Sequence, residues 1–305
     1  MLFSEIVAVT IFIVFWYFIY SCEIRFFFLF LKHKNLPKNQ FFIFIHIAAV
    51  LGIVCILYSY FIEPYWLKVS YINLESAKIK KGFTLVQISD LHCDTKIRNE
   101  EKLVKIINKI NPDIIVFTGD ALNRKEALGI FKKTLNSLKA KSGKFAVRGN
   151  FDGKYWNGID FFKDTGFIEL DERAENFTNN SQCLTMAGLG PEGDIEKAKF
   201  LKKIPENCYA ILLFHYPYIS KAFKGLPIDL YLAGHTHGGQ FSLPFYGALI
   251  TMSRFGKKYE AGLYKLSQGK YLYVNRGVGM EGGIIPRVRF FSRPEIAVFH
   301  ISPKK

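Results

Sequence analysis

The stretch FTLVQISDLH, residues 83–92, is a run of strand-forming apolar residues that ends in two side chains able to bind metal, Asp90 and His92. Amphipathic stretches at 100–110 and 124–141 follow it and predict helices. Apolar runs of strand length recur at 113–119, 144–149, 184–189, 209–214, 229–233, 271–275 and 296–301. Because strands alternate with helices, we expect a layered α/β domain with helices covering both sides of the β core.

Polar side chains follow five of the predicted strands, at the point where each strand ends. They are Asp90, His92, Asp120, Asn150, Asp152, His215, His235 and His237. The carboxyl ends of parallel strands meet at one edge of a sheet, so we expect these side chains to lie together. A single Asp or His at a strand end is usually a structural hydrogen-bonding group, but burying this many without partners would cost several kcal/mol.

A pair of divalent metal ions accounts for this set of side chains. Carboxylate and imidazole groups together suit manganese, iron or zinc, of which we expect manganese first. Two metals about 3.5–4 Å apart stabilise the attacking and leaving oxygens during phosphoryl transfer. The glycines beside Asp120, Asn150 and His235 would let the backbone turn tightly near a ligand. The sequence therefore predicts a two-metal site for phosphoryl chemistry.

The blocks DLH, GD, GN, a lone His and GHTH, in this order, resemble the calcineurin-like metallophosphoesterase superfamily over about residues 83–301. AGHTHGGQ, with Leu243-Pro244 after it, and NRGVG at 275–279 are similar to its bacterial membrane-associated branch. The resemblance implies a four-layer α/β/β/α sandwich of two mixed sheets flanked by helices. For one metal it implies the ligands Asp90, His92, Asp120 and His237, and for the other Asp120, Asn150, His215 and His235. The catalytic residues implied in the same way are Asp120, Asn150, His235 and Asp152.

Phe151 departs from the superfamily pattern, in which most members read Gly-Asn-His followed by Asp or Glu. In those members the His contacts the substrate or protonates the leaving group; here Phe151 replaces it and Asp152 is retained. An alkoxide leaving group needs such a proton, whereas a phosphate, with a second pKa near about 6, can depart without one. The replacement indicates either a weak enzyme or one that cleaves a pyrophosphate bond.

Superfamily members that split UDP-2,3-diacylglucosamine in lipid A synthesis also lack this His and act at the membrane. The resemblance therefore implies a membrane-anchored enzyme that hydrolyses this lipid to lipid X and UMP. Two alternatives stay open: a general phosphodiesterase or phosphatase of the cell envelope, and a catalytically weak metal-binding scaffold at the membrane. Nucleic acid is not expected as a partner, because no basic-aromatic binding module is visible.

Three further residues are predicted to bind substrate: Arg148, Arg276 and Phe151. The two arginines adjoin strand ends, although a surface arginine is more often a solvated charge. The aromatic-rich segment 151–162 follows the metal-site loop directly. It would form either a lid and acyl-chain groove or a cluster that caps the core.

The first 64 residues predict a membrane anchor. Residues 6–20 and 41–62 are apolar, and about 20 helical residues cross the ~30 Å hydrocarbon layer, so we expect two transmembrane helices. The resemblance to the bacterial membrane-associated branch implies that they lie in a bacterial inner membrane. Residues 65–82 would be a linker and 83–305 the metallophosphoesterase domain. Basic residues lie both between the spans and after them, which leaves the orientation open: Arg25, Lys32, Lys34 and Lys38, against Lys68, Lys78, Lys80 and Lys81. A UDP-linked substrate would require the domain to be cytoplasmic.

Composition points to an anionic partner. The formal net charge is +15, of which residues 1–64 contribute only +1, from four basic and three acidic residues. The positive charge therefore belongs to the part that would meet phosphates and an anionic bilayer. Hydrophobic residues make up 50% of the chain, which excludes intrinsic disorder. The five cysteines show no CxxC spacing, so we expect buried, reduced thiols.

Overall fold

The computed structural model describes residues 3–32, 40–179, 182–219, 221–267, 269–282 and 287–304. Two basic residues of the loop between the apolar spans, Lys34 and Lys38, lie outside the described residues. The helices are α1 (Phe3–Leu31), α2 (Gln40–Phe61), α3 (Glu100–Ile110), α4 (Leu128–Ser137) and α5 (Asn150–Trp156). The strands are β1 (Lys68–Ser76), β2 (Phe83–Ile88), β3 (Ile114–Thr118), β4 (Gly143–Val147), β5 (Ile168–Glu169), β6 (Arg173–Asn179), β7 (Gln182–Leu189), β8 (Tyr209–Phe214), β9 (Leu230–Ala233), β10 (Ser242–Leu243), β11 (Gly247–Ala248), β12 (Gly262–Ser267), β13 (Lys270–Val274) and β14 (Glu295–Pro303).

Helices α1 and α2 form an antiparallel hairpin. Their contact includes the Trp16 ring and Gly52, where a Cβ atom would lie 2.4 Å from the ring, so only glycine permits this approach. Ile19 and Ile45 are buried between the helices, while most of the other large apolar side chains of both helices are exposed. Both helices are long and apolar enough to cross a membrane. Since so much exposed apolar surface is unfavourable in water, we conclude that the chain is membrane-associated.

Two six-stranded mixed sheets form the domain that follows. The first has the order β1-β14-β2-β3-β4-β5 and the second β12-β13-β9-β8-β7-β6. Strands β2 to β5 are parallel to one another, as are β7, β8, β9 and β13. The predicted sandwich of mixed sheets is therefore confirmed.

The sandwich buries three apolar layers. Helices α3 and α4 place Leu103 and Phe131 against the first sheet. Side chains such as Leu85 and Leu213 fill the space between the sheets. The outer face of the second sheet is covered differently from the prediction, because in the described residues short 3-10 turns, one of them carrying the buried Leu201, replace α-helices there.

Strand β1 lies inside the segment 65–82, which was predicted to be a linker. It pairs in parallel with β14 along its whole length, and Ile72 and Leu74 are buried against the core between the sheets. The alternation of apolar and polar residues in β1 is typical of a half-buried edge strand. The linker prediction is therefore corrected: the first sheet begins directly after the membrane anchor.

The expectation of reduced thiols is wrong for two of the five cysteines. Cys183 and Cys208, separated by 25 residues, form a disulfide, with their Cα atoms 4.8 Å apart. They are neighbours because β7 and β8 pair in parallel with Leu184 opposite Tyr209. The spacing of the cysteines along the chain carried no signal of this pairing, which depends on strand register.

Candidate metal centre

The strand ends bring all seven predicted metal ligands to one edge of the sandwich. Asp90 and His92 follow β2, and Asp120 follows β3. Asn150 is the first residue of α5, just after β4. The histidines come from the second sheet: His215 follows β8, while His235 and His237 follow β9. The site therefore lies where the carboxyl ends of the parallel strands of both sheets meet.

The distances define a compact cluster. Nε2 of His215 lies 3.2 Å from Oδ2 of Asp120, and Nε2 of His92 lies 3.6 Å from the same oxygen. Nε2 of His237 lies 3.4 Å from Oδ1 of Asp90. The ligand atoms of Asp90, His92 and His237 lie within 4.8 Å of one another, and so do those of Asp90, Asp120 and His215. Asp90 thus belongs to both groups, although the resemblance assigned it to one metal only.

Asn150 and His235 lie beside the second of these groups. Oδ1 of Asn150 is 2.9 Å from Nδ1 of His235, and the His235 ring is 5.2 Å from the His215 ring. Nε2 of His235 faces the backbone oxygen of Met252 at 3.3 Å. The arrangement matches the predicted grouping of Asn150, His215 and His235 around one ion, and their role as ligands stays a prediction.

Buried nitrogen atoms without partners show that the cluster fits metal ions. Both ring nitrogens of His92, and Nε2 of His215 and His237, are buried and have no hydrogen-bond partner. A buried polar group without a partner is costly, and a divalent cation would satisfy these lone pairs. Imidazole and carboxylate donors together suit such a cation, which would supply positive charge to a phosphate group.

The backbone of the ligand loops is in an unusual conformation. Asp90, His92, Asp120, His235 and His237 all have positive φ, at 49°, 38°, 59°, 72° and 52°. This left-handed region is unfavourable for residues with a Cβ atom, and such residues concentrate at functional sites. The strain indicates that the surrounding structure holds the ligand loops in place.

Residues 83–239 match the family model described as calcineurin-like phosphoesterase. The chain belongs to this family. It is 32% identical to the uncharacterised metallophosphoesterase YkuE of Bacillus subtilis, over 79% of this chain and 88% of that protein. It is also 32% identical to a metallophosphoesterase of Aquifex aeolicus, over 85% of this chain and 98% of that protein. The UDP-2,3-diacylglucosamine pyrophosphatase LpxG of Chlamydia muridarum is 29% identical, over 71% of this chain and 83% of that protein.

This calcineurin-like phosphoesterase is therefore a phosphoester hydrolase, and its family binds two divalent metals. Burial lowers the pKa of His92 and of His235 to about 4, and also lowers that of His237. These rings are thus held in the neutral form, which is the form that binds metal. Burial also raises the pKa of Asp90 to about 7. Removing the carboxyl proton would then accompany metal binding.

Asp120 and His215 form the charged pair of the phosphoesterase site. Burial alone would raise the pKa of Asp120, but the His215 ring beside it holds that pKa below its usual range. Burial alone would lower the pKa of His215, but the Asp120 carboxylate raises it to about 10. The backbone oxygen of Thr118 lies 2.7 Å from Nδ1 of His215, which leaves Nε2 directed at the cluster.

Asp152 was predicted to be catalytic, and the structure places it behind the ligand loops. Its carboxylate accepts hydrogen bonds from the backbone N–H groups of Gly149, Asp120 and Ala121, at 2.8–2.9 Å. Burial and the Asp120 carboxylate raise the pKa of Asp152 to about 7, although the hydrogen bonds from the backbone amides act to lower it. These contacts make Asp152 a residue that positions the Asp120 and Asn150 loops.

Phe151 lies directly against the metal cluster. Its ring is 5.0 Å from the ring of His92, and its backbone N–H donates to Oδ1 of Asp120 at 2.9 Å. The ring also contacts Tyr155, which is half exposed. An apolar ring therefore lies at the position where the resemblance implies a histidine that protonates the leaving group.

Most of the other aromatic residues of segment 151–162 pack against the core and away from the metal cluster. Phe161 and Phe162 are buried in the core under the first sheet. Trp156 is partly buried against the same core and donates from its ring nitrogen to the backbone oxygen of Leu122. The segment therefore caps the core, with the Tyr155 ring exposed at its surface.

The two arginines predicted to bind substrate are already paired. Nε of Arg148 is 2.5 Å from Oε1 of Glu169, and its guanidinium group lies over the Phe161 ring. Nη1 of Arg276 is 3.3 Å from Oε1 of Glu295. The described contacts bring neither guanidinium group to the ligand cluster, so their role in substrate binding stays a prediction.

Arg289 was missed by the sequence analysis. It is fully buried and donates to the backbone oxygens of Gly279 and Ser292, while Nη2 lies 3.4 Å from Nδ1 of His237. Arg289 thus ties the loop after β13 to the ligand loop of His237. In the sequence, Arg289 precedes two aromatic residues, Phe290 and Phe291. No local pattern of residues shows that the arginine side chain is buried.

Proposed function

We propose that this phosphoesterase hydrolyses the pyrophosphate bond of UDP-2,3-diacylglucosamine. Water adds to one phosphorus atom and the bridging P–O bond breaks. One product keeps the oxygen of the water and the other keeps the bridging oxygen, while the two protons of the water go to phosphate oxygens or to solvent; the products are UMP and lipid X. The observation that carries the proposal is the position of the cluster beside a membrane helix. Met252, whose carbonyl faces His235, follows Thr251, and Thr251 is hydrogen-bonded to Glu5 of α1.

Phe151 supports the choice of an anhydride bond. Its phenyl ring cannot donate a proton, yet it lies 5.0 Å from the His92 ring at the edge of the cluster. A phosphate leaving group has a second pKa near about 6 and departs as an anion at neutral pH. An alkoxide is far more basic and depends on an acid. The 29% identity to LpxG supports the same substrate.

The metal, the partners and the membrane belong to the same proposal. The mixed carboxylate and imidazole donors suit manganese, with iron or zinc as alternatives. The proposed partners are the lipid bilayer and a lipid-linked nucleotide. The bilayer would be a bacterial inner membrane with the domain on the cytoplasmic side, where UDP-linked lipids are made. Metal analysis of the purified protein tests the identity of the metal.

The deciding experiment is a product assay on the full-length protein in detergent. We expect manganese-loaded protein to release UMP and lipid X from UDP-2,3-diacylglucosamine, and a chelator to stop the reaction. His300→Ala, at an exposed position on β14, is the matched control for His215→Ala. Absence of UMP from protein shown to contain two metals would refute the substrate.

The disulfide favours a second candidate, a phosphodiesterase that acts on phospholipid headgroups outside the cytoplasm. A disulfide such as Cys183–Cys208 is rare in the reducing cytosol. Lys32, Lys34 and Lys38 lie between the two helices, and a cytoplasmic position of that loop would place the domain outside. Labelling of a cysteine introduced at an exposed position of the domain, Ile168→Cys, in intact cells and in opened vesicles distinguishes the two sides. Release of a headgroup phosphate from vesicles, without UMP release from the UDP-lipid, would support this candidate.

A further inference from the structure

Helix α1 makes hydrogen bonds and a ring contact with the segment that follows the last histidine ligands. The carboxylate of Glu5 accepts hydrogen bonds from the backbone N–H and the hydroxyl of Thr251, at 2.9 and 2.7 Å. Glu5 is almost completely buried in this contact. The ring of Phe12 also packs edge-on against the ring of Phe241, with 5.5 Å between the centroids.

Helix α2 is joined to the segment around Arg289. The backbone N–H of Arg289 donates to the backbone oxygen of Ser59 at 2.9 Å, and the ring of Tyr58 contacts that of Phe290. Just beyond the helix, the Glu63 carboxylate accepts hydrogen bonds from the backbone N–H groups of Phe291 and Ser292, at 2.9 and 2.5 Å. Both helices thus hold the metal-site face of the domain.

These contacts fix the depth of that face relative to the membrane. Ser59 lies two residues before the end of α2, inside the apolar span by about 3 Å at 1.5 Å per residue. Phe12 lies nine residues after the start of α1, and helical side chains lean toward the helix N-terminus. Phe241, which contacts Phe12, therefore lies about 13.5 Å along α1. Glu5, which holds Thr251, lies only two residues after the start of α1, so the segments around Thr251 and Arg289 lie at the level of the end turns of both helices, where we expect the bilayer to change from hydrocarbon to headgroup.

Apolar side chains project from the same segments. Phe245 is fully exposed, and Met252 and Phe291 are exposed by 62% and 60%. We call these three residues the membrane-facing rim. Their neighbours are basic: Arg254 is exposed two residues after Met252, and Arg293 stacks on the ring of Trp66 beyond α2. Apolar tips with basic and aromatic neighbours are typical of surfaces that enter an anionic lipid interface.

We propose that the membrane-facing rim inserts into the bilayer that holds α1 and α2, so that substrate reaches the metal centre from the plane of the lipid. The rim contacts the ligand loop directly, because the backbone oxygen of Met252 lies 3.3 Å from Nε2 of His235. The acyl chains of the substrate then stay in the bilayer while its phosphate reaches the cluster. The inference rests on the proposed function only in taking the substrate to be a lipid, and it holds for either lipid proposed.

Depth-dependent fluorescence quenching tests the rim itself. Phe245→Trp and its control Ile168→Trp, at an exposed position on β5, are made in the full-length protein and reconstituted in vesicles with brominated acyl chains. The fluorescence added by each new tryptophan, above that of the unmodified protein, is measured. We expect quenching of the tryptophan at 245 and not of that at 168. Equal fluorescence loss at both sites, or none at 245, would overturn the proposal.

A kinetic comparison tests the route of the substrate. In Phe245→Ser, the ratio of turnover on a vesicle-embedded lipid to turnover on a soluble phosphodiester is expected to fall about tenfold, the factor for about 1.4 kcal/mol of lost apolar transfer. Ile168→Ser should leave the ratio unchanged. An unchanged ratio in Phe245→Ser would refute lipid entry beside the rim. Quenching without UMP release would refute only the UDP-lipid substrate, whereas UMP release without quenching would refute only the rim.

Discussion

The Asp120 carboxylate contacts three other residues of the site. Its Oδ2 lies 3.2 Å from His215 and 3.6 Å from His92, and its Oδ1 accepts from the Phe151 amide. We expect Asp120→Ala to lower kcat by at least about 100-fold, the scale of losing an electrostatic group from an active site. His300→Ala should retain the activity of the unmodified protein.

The fold should survive both changes, because the ligands lie on loops above a strand core. Circular dichroism and metal content separate loss of the site from loss of the fold. Full activity in Asp120→Ala, with the protein folded, would contradict the assignment of the centre.

Phe151 is a residue-scale test of the leaving group. Phe151→His would place a titratable ring beside His92, where the phenyl ring now lies. We expect kcat/KM to rise for phosphodiesters with alkoxide leaving groups, because a proton donor contributes about 100-fold or more. The pyrophosphate substrate should gain little, since its leaving group departs as an anion.

The measurement is the ratio of kcat/KM for the two substrate types, in the variant and in the unmodified protein. If activity of any kind appears only in Phe151→His, the natural protein is the weak scaffold considered from the sequence. A ratio that does not change would show that Phe151 does not select the leaving group.

At the scale of elements, β1 shows how the anchor and the catalytic domain are connected. Leu74 is 4% exposed against the core between the sheets, whereas Tyr71 on the same strand is 62% exposed. We expect Leu74→Ala to lower the free energy of unfolding by about 2–5 kcal/mol, as buried leucines do. Tyr71→Ala should have a much smaller effect.

Thermal unfolding of both variants in detergent measures the difference. A linker would tolerate both substitutions equally, so equal transition temperatures would show that β1 is not part of the sheet in solution. The sequence did not reveal β1 as a core element, because its partner β14 lies more than 200 residues later in the chain.

At the scale of the whole molecule, metal binding should stabilise the fold. Four buried ring nitrogens, both of His92 and Nε2 of His215 and His237, make no hydrogen bond within the described residues. A ligand present at 100 times its Kd adds about 2.7 kcal/mol to stability. We expect a chelator to lower the Tm and added manganese to restore it.

Protonation of the buried histidines makes the stability of the fold depend on pH. Burial lowers the pKa of His92 and His235 to about 4, so the metal-free fold keeps these rings neutral, while in the unfolded chain they are protonated below about 6.5. Stability contributed by these rings is therefore present above pH ~6.5 and is lost as the pH falls toward about 4. Metal binding weakens in the same direction, because protons compete for the same nitrogens. A manganese-dependent rise in Tm that was equal at pH 5 and pH 8 would contradict this account.

The sequence by itself determined the family, the two apolar helices and the order of the metal-site blocks. These features are local: hydropathy over about 20 residues predicts a span, and an apolar run followed by Asp or His predicts a ligand at a strand end. Local pattern is therefore sufficient to identify residues such as Asp90, Asp120 and His215 as candidate ligands.

The tertiary structure alone decided which distant segments meet. It placed β1 beside β14, paired Cys183 with Cys208, and hydrogen-bonded the Asp152 carboxylate to backbone amides of the ligand loops. It also joined the membrane helices to the metal-site face through Glu5 and Ser59. Such contacts depend on strand register and on packing between segments far apart in the chain, and no local pattern of residues encodes them.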